Sequence, residues 1–252
     1  MKTSNMPSAS PLYASALFQS ISGGAWHPGG EELTRRGLAL CGFPPGACIL
    51  DAGCGSGAGL RVISSLGLHG TGLDRECRLS EPFPFVQADV QNPPFAENSF
   101  DGILCECVLS LLPEPEKALG RFASILRPGG KLLLSDLFVR GGSPVPGAAA
   151  GCAAGARTLR EMEDMLAGAG FLLLAFEDHS AALRELAAKL LWYGDDTLHA
   201  QLRTGACSCS ASRGGPGYGL WMATPAKYRA GEDIKPASGS SACMEHSPLP
   251  QP

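Results

Sequence analysis

Short apolar runs alternate along this chain with glycine-bearing breaks and with stretches whose apolar residues recur at helical spacing. Cys48-Ile49-Leu50 reads as a buried strand that ends in Asp51. After a glycine-rich break, Leu60, Ile63 and Leu66 fall on one helical face. Gly70–Asp74 is the second strand and Phe85–Ala88 the third, closed by Asp89 and Val90. Only Arg75–Pro84 separates these two, too little for a full crossover helix, which needs about a dozen residues. Phe100–Cys105 is the fourth strand, with Glu106–Leu112 as its exit. A helix opened by Pro113-Glu114-Pro115-Glu116 runs to Leu126 with apolar Ala118, Leu119, Phe122 and Ile125. Arg127-Pro128-Gly129-Gly130 reads as a tight turn before a fifth strand, Lys131–Leu137. Then come a helix over Thr158–Ala167, a strand at Phe171–Phe176, a helix over Ala181–Trp192 and a strand at Tyr218–Ala223. Strands alternating with helices predict an α/β fold.

The ends and breaks divide the chain. Residues 1–30 are rich in Ser, Pro, Gly and Ala around Tyr13, Phe18 and Trp26, an N-terminal arm that is either disordered or a lid. His27-Pro28-Gly29-Gly30 turns into a helix, Glu31–Leu40, with acids in its first turn as the macrodipole favours. The expected domain spans 31–228. Within it 141–156 reads as a mobile Gly/Ala/Pro loop and Thr204–Gly217 as an irregular insertion. Residues 229–252 have the composition of a disordered tail.

Composition narrows the class. At 252 residues, 44% hydrophobic and 17% charged, the chain suits one substantial core. A net charge of −4 without a basic run argues against nucleic acid. No apolar run reaches the roughly 18 residues of a membrane span, and no secretory h-region is visible. Ten cysteines without a disulfide framework predict reduced thiols and a cytoplasmic location.

The chemistry concentrates at Asp51-Ala52-Gly53-Cys54-Gly55-Ser56-Gly57-Ala58-Gly59. A strand, a glycine loop and a helix make a nucleotide-binding opening, because bare backbone lets a ligand approach the helix N-terminus. Gly53-x-Gly55-x-x-Ala58 satisfies the dinucleotide pattern, so an NAD-dependent oxidoreductase is one reading. S-adenosylmethionine is the other. Asp51 at the mouth of the loop repels a pyrophosphate and favours a cationic amino-acid moiety. Asp74, about 20 residues beyond Gly53, stands where an acid accepts ribose hydroxyls.

With Ile49–Gly57, the chain also has Gly72-Leu73-Asp74, Ala88-Asp89, Pro94–Asp101 and Leu126-Arg127-Pro128-Gly129-Gly130-Lys131-Leu132 in order. On these segments, covering about 45–140, it resembles a class I S-adenosylmethionine-dependent methyltransferase of the methyltransferase type 11 kind. The resemblance implies a Rossmann-like seven-stranded sheet, mostly parallel with an antiparallel last strand and helices on both faces. It implies S-adenosyl-L-methionine as cofactor, held by Asp51, Gly53, Cys54, Gly55, Gly57, Asp74, Arg75, Asp89, Val90 and the Cys105 carbonyl. Asp74 would take the ribose and Asp89 the adenine amine. Methyl transfer to a small-molecule acceptor, with release of S-adenosylhomocysteine by a monomer or homodimer, would follow. A methyltransferase-like binding protein without activity is the non-enzymatic alternative. The fourth strand ends Cys105-Glu106-Cys107 and lacks the Asn/Asp-Pro-Pro-Tyr box, which weighs against amide or exocyclic-amine acceptors.

Acceptor-side candidates are residues just past the later strands or on the loop between them: Glu106, Cys107, Cys152, Arg157 and His179. Glu106 reads as an acceptor-binding carboxylate or as a partner for backbone amides. His179 beside Asp178 reads as a general base or as a surface residue following a helix cap. Cys107 and Cys152 read as soft-acceptor ligands or as small packing residues. No metal site is expected, since Cys207 and Cys209 lack further ligands.

Overall fold

The computed structural model describes residues 16–140, 153–196, 199 and 216–226. Cys152, Cys207, Cys209, most of the 141–156 loop and the 229–252 tail lie outside them. In order the elements are α1 (Ala16–Ser22), α2 (Gly30–Cys41), β1 (Cys48–Ala52), α3 (Ala58–Ser65), β2 (His69–Asp74) and β3 (Phe85–Gln87). β4 (Phe100–Glu106), α4 (Pro115–Ile125), β5 (Leu126–Val139), β6 (Arg157–Thr158), α5 (Leu159–Gly168), β7 (Phe171–Asp178), α6 (Ser180–Tyr193) and β8 (Pro216–Pro225) follow. The strand order is β3-β2-β1-β4-β5-β8-β7, with β6 paired to β5. β8 runs antiparallel to both neighbours, and the other pairings are parallel. The sheet is the expected mostly parallel one, with the two-residue β6 as an addition.

Alternation along the strands sorts side chains into two cores. Leu50, Ile103, Leu134, Phe138 and Trp221 pack on one face with Leu119 and Phe122 of α4 and Met162 of α5. Ile49, Leu104, Leu133 and Tyr218 pack on the other with Leu33 and Leu38 of α2, Leu60 and Ile63 of α3 and Leu183 of α6. By the same parity Asp51 follows Ile49, and Glu106 follows Leu104, onto the α2/α3 face.

Three local readings change. The Arg127–Gly130 turn lies inside β5 as an irregularity: Phe100 pairs with Leu126, whereas Gly102 already pairs with Lys131. The excursion holds because Arg127 reaches Asp101 at 2.7 Å and Thr224 donates to the Gly130 carbonyl at 2.9 Å. β8 starts at Pro216, so the predicted insertion yields its last residues to ladder pairing with Val139 and Phe138. Cys41, Cys54, Cys77, Cys105 and Cys107 are free thiols, but Cys48 is disulfide-bonded. Reduced thiols throughout are therefore not what the structure has. The 75–84 connection contains no helix, as its length predicted.

Phe122 is fully buried where α4 meets the sheet. Phe122→Ala is expected to cost about 3–5 kcal/mol, while truncating Leu40, 41% exposed, costs about 0.5 kcal/mol or less. Denaturant melts read both; equal losses would contradict this assignment of the core.

Candidate functional site at the carboxyl ends of the strands

The glycine loop is tied to the end of β2. The N–H groups of Gly53 and Cys54 donate to the Leu73 carbonyl at 2.7 and 3.2 Å, and that of Gly57 to Cys54 at 2.8 Å. Gly55 N–H donates to Asp74 Oδ2 at 3.0 Å. Gly53, Gly55 and Gly57 have φ of +83°, +51° and +86°, a backbone that residues with a Cβ adopt at a cost. These donors are satisfied within the protein.

The N-terminus of α3 is likewise filled from within. A Cβ at Gly59 would stand 2.5 Å from Asp51 Oδ2, so the Asp51 carboxylate lies directly against the first turn, where the Leu60 N–H bonds it. An anion belongs at that end of a helix, and here the chain supplies its own. A pyrophosphate would meet a carboxylate there, which removes the physical basis of the dinucleotide reading.

Asp51 is 4% exposed and its Oδ2 has no hydrogen-bond partner. Burial first, then the charges of Glu106 and Asp74, push its carboxyl pKa well above the ordinary range, while His27 and the Leu60 N–H pull the other way. An unpartnered buried carboxylate oxygen next to a second carboxylate is a site for a cation. The residues present thus fit the ammonium-bearing end of S-adenosylmethionine.

Glu106 closes β4 and is held from the N-terminal segment. Thr34 of α2 donates toward its carboxylate, with its oxygen 3.0 Å from both Oε1 and Oε2, and His27 Nε2 stands 3.2 Å from Oε2. His27 Nδ1 faces the Pro28 carbonyl at 3.1 Å. Trp26 lies on the glycine loop, 3.3 Å from where a Gly55 Cβ would be, and Arg78 stacks on its ring. Ser56 donates to the Gly24 carbonyl at 3.3 Å. α1 packs against α6 with Phe18 fully buried. A groove of about 340 Å³, walled in part by Trp26, Ser56, Arg61 and Arg78, opens beside the loop. His27 and Thr34 escaped sequence reasoning as site residues, whereas Trp26 belongs to the arm read as a possible lid.

The other predicted positions separate. Asp89 Oδ1 accepts from Gln91 N–H at 2.9 Å, and Val90 is buried against the core. The Arg75 carbonyl accepts from Gln87 at 2.8 Å, and its side chain is exposed. Cys54 and Cys105 are buried, and burial drives both thiols upward in pKa, so they pack rather than react. Cys107 holds a left-handed φ of +54° beside Glu106, with Sγ 3.4 Å from the Tyr218 hydroxyl, which donates to Ser135 at 2.9 Å. Such backbone strain in a residue with a Cβ gathers at functional sites.

Arg157 bonds the Gly155 carbonyl at 3.4 Å and pairs with Glu116 at 3.5 Å, on the α4 side. Nearby, buried Asp136 accepts from the Ser110 hydroxyl and N–H at 2.6 and 2.9 Å and from Leu137 N–H at 2.7 Å. His179 bonds Glu177 at 2.8 Å; Glu177 is held at a pKa of about 2, chiefly by its hydrogen bond from Arg36. Asp178 pairs with Arg140 and accepts from Ser180 N–H. Among the described residues, Glu106 and Cys107 precede Val108, which packs on Gly53 of the loop, while Arg157 and His179 take their contacts elsewhere.

His27 gains more from its acceptors than it loses. Burial lowers its pKa, but the charge and hydrogen bond of Glu106, the Pro28 carbonyl and Asp51 together raise it above the ordinary value. A raised pKa stabilises the fold fully below the unfolded value of about 6.5, and that part is lost as pH rises through the folded value. Thermal melts between pH 6 and 9 should therefore fall more steeply for the wild type than for His27→Gln. Equal slopes would contradict the assignment.

Comparison with known proteins agrees with this architecture. Residues 50–134 match the family model described as "Methyltransferase domain". The O-methyltransferase rstn1 of Aspergillus nomiae is 31% identical over 130 residues, covering 46% of this chain and 58% of that protein. The chain spans about half the length of the curated relatives it matches. Among solved structures, the [4+2]-cyclase SpnF superposes with a TM-score of 0.69 at 24% identity, covering 85% of this chain and 93% of that one. Haemonchus contortus phosphoethanolamine N-methyltransferase 2, with S-adenosylhomocysteine and phosphomonomethylethanolamine, gives 0.68 at 20% identity, covering 83% and 56%. Among the described residues no helix is long and apolar enough to cross a membrane. With the strand order, the self-anchored glycine loop and the acid closing β2 in place, residues 50–134 match a methyltransferase domain and lie in a mostly parallel, Rossmann-like sheet.

Proposed function

We propose that this protein transfers a methyl group from S-adenosylmethionine to a small-molecule acceptor and releases S-adenosylhomocysteine. The observation that carries the reading is the unpartnered, buried Oδ2 of Asp51 at the head of a glycine loop in which the N–H groups of Gly53, Cys54, Gly55 and Gly57 already have partners. That arrangement recruits a cation and turns away a phosphate. The relatives add support, since the Aspergillus protein is named an O-methyltransferase and the Haemonchus structure holds S-adenosylhomocysteine.

When bound, the cofactor supplies an activated methyl group on a sulfonium; the protein's part is to position and to exclude water. Asp51 takes the ammonium. Asp74, which already orders the loop through Gly55, takes the ribose hydroxyls on its remaining lone pairs. The turn at Asp89 and Val90 bounds the adenine end. Glu106 and Cys107, at the strained exit of β4, face the acceptor, with Tyr218 and Ser135 fixing the Cys107 thiol. Trp26 and the segment around it cover the loop from the N-terminal side. Arg157 and His179, which pair with Glu116 and Glu177, remain acceptor-side candidates only through a change in those contacts. The cytoplasm is the proposed location.

Two substitutions test the cofactor assignment by calorimetry with S-adenosylhomocysteine. Asp74→Ala removes two charge-assisted hydrogen bonds of about 1.5–3 kcal/mol each, so affinity should drop on the order of 100-fold or more. An unchanged affinity in a folded variant removes the anchor of the reading. Asp51→Asn should weaken affinity at least tenfold yet melt higher, by about 2–4 °C for about 1 kcal/mol, because a buried charge without a full set of partners is replaced by a neutral amide. A lower melting point together with unaltered affinity would show that Asp51 is purely structural.

A further inference from the structure

His27 reaches the site from outside the matched domain, and its surroundings define its charge. Its Nδ1 faces the Pro28 carbonyl at 3.1 Å, a group that only accepts. Its Nε2 faces Glu106 Oε2 at 3.2 Å and Thr34 Oγ1 at 3.4 Å. Thr34 Oγ1 has one hydrogen to give, and both Glu106 oxygens at 3.0 Å are nearer acceptors than the Gly30 carbonyl at 3.5 Å, which leaves a lone pair for the ring. Acceptors at both nitrogens require a proton on each, which is the imidazolium. The ring is 6% exposed and the Glu106 side chain 7% exposed, so their charges interact with little screening.

The charged groups around this ring come from several elements. Glu106 of β4 and Asp51 of β1 act on it directly. Asp74 of β2 acts on Asp51. From β8 and the β4 exit, Tyr218 and Cys107 neighbour Glu106, and burial keeps the phenol protonated. α1 carries no titratable side chain and α2 brings the Thr34 hydroxyl. Glu106 thus contacts the imidazolium directly and Asp51 acts on it through its charge alone, with an oxygen of Asp51 still unpartnered.

We infer that His27 is a specificity-determining residue whose imidazolium shares the Asp51–Glu106 carboxylate pair with the ligand, so that its protonation sets the preference for the sulfonium donor over the thioether product. The inference rests on the S-adenosylmethionine reading of the site. Donor and product share the amino acid and the nucleoside and differ by one methyl and one positive charge. A protonated His27 repels that extra charge within the same enclosed site, and a neutral His27 leaves both carboxylates to it. Linkage makes the effect reciprocal: the factor by which protonation weakens donor binding is the factor by which the donor weakens protonation of His27. Low pH therefore favours product retention, and higher pH favours exchange of product for donor.

The test is calorimetric affinity of the full chain for S-adenosylmethionine and S-adenosylhomocysteine at pH 6 and pH 8.5. In the wild type the ratio of donor to product affinity should rise on the order of tenfold more across this interval than in His27→Gln. The variant keeps a polar side chain without an imidazole, and each ligand's own ammonium titrates against both proteins alike. A second measurement needs no variant: nitrogen-15 histidine NMR of the wild type should place the His27 titration at lower pH in the donor complex than in the product complex. Parallel pH dependences in the two proteins, or one His27 titration point in both complexes, overturn the inference while leaving the cofactor reading intact. If neither ligand binds, the cofactor reading and the inference fall together.

Discussion

Two carboxylates, Asp51 and Glu106, are brought together because β1 and β4 are neighbours in parallel register and both acids have the same strand parity. Asp51 sits against the amide end of α3, which offsets part of its charge, and Glu106 receives Thr34 and His27. Neither acid is neutralised by a lysine or arginine among the described residues. The site thus holds negative charge at a cost that packing of α2 and α3 on the sheet must outweigh. Active sites commonly carry such strain, and here the charge is what makes the proposed occupant of the glycine loop a cation rather than a phosphate.

The N-terminal segment follows from that constraint. A buried carboxylate without partners is costly, and the chain meets Glu106 with groups from 27–34 rather than from the sheet. α1 anchors this segment on α6, Trp26 rests on the glycine loop, and Ser56 bonds back to Gly24. Covering the site and compensating its charge are therefore the work of one stretch. A change in the charge state of the site is felt by the element that closes it.

The fold leaves the reaction open, because a cyclase superposes on this chain as well as an N-methyltransferase does. What separates such proteins is the lining at the β4 exit and the later strands. Here that lining is a strained Cys107 beside Glu106, backed by buried Tyr218 and Ser135 on one face of the sheet, with Asp136 and Ser110 bonded together on the other. Asp136 accepts from three donors under the 109–111 turn.

The sequence alone brought out the residues proposed for the cofactor side of the site. Asp51, the alternate glycines, Asp74 and Asp89 lie within short stretches whose apolar period and turn residues mark the strand ends, and strand ends are where a parallel sheet binds. It also determined that 75–84 has no crossover helix, since length alone decides that. Only tertiary structure joined His27 and Thr34 to Glu106, 72 positions apart in the case of Thr34; contacts at such separation leave no local period to read. Likewise only the fold took Arg157 to Glu116 and His179 to the Glu177–Arg36 pair, because each side chain follows the nearest opposite charge once register and helix packing have placed it. The irregularity in β5 was settled in the same way, by Asp101 and Thr224 meeting it from distant parts of the chain.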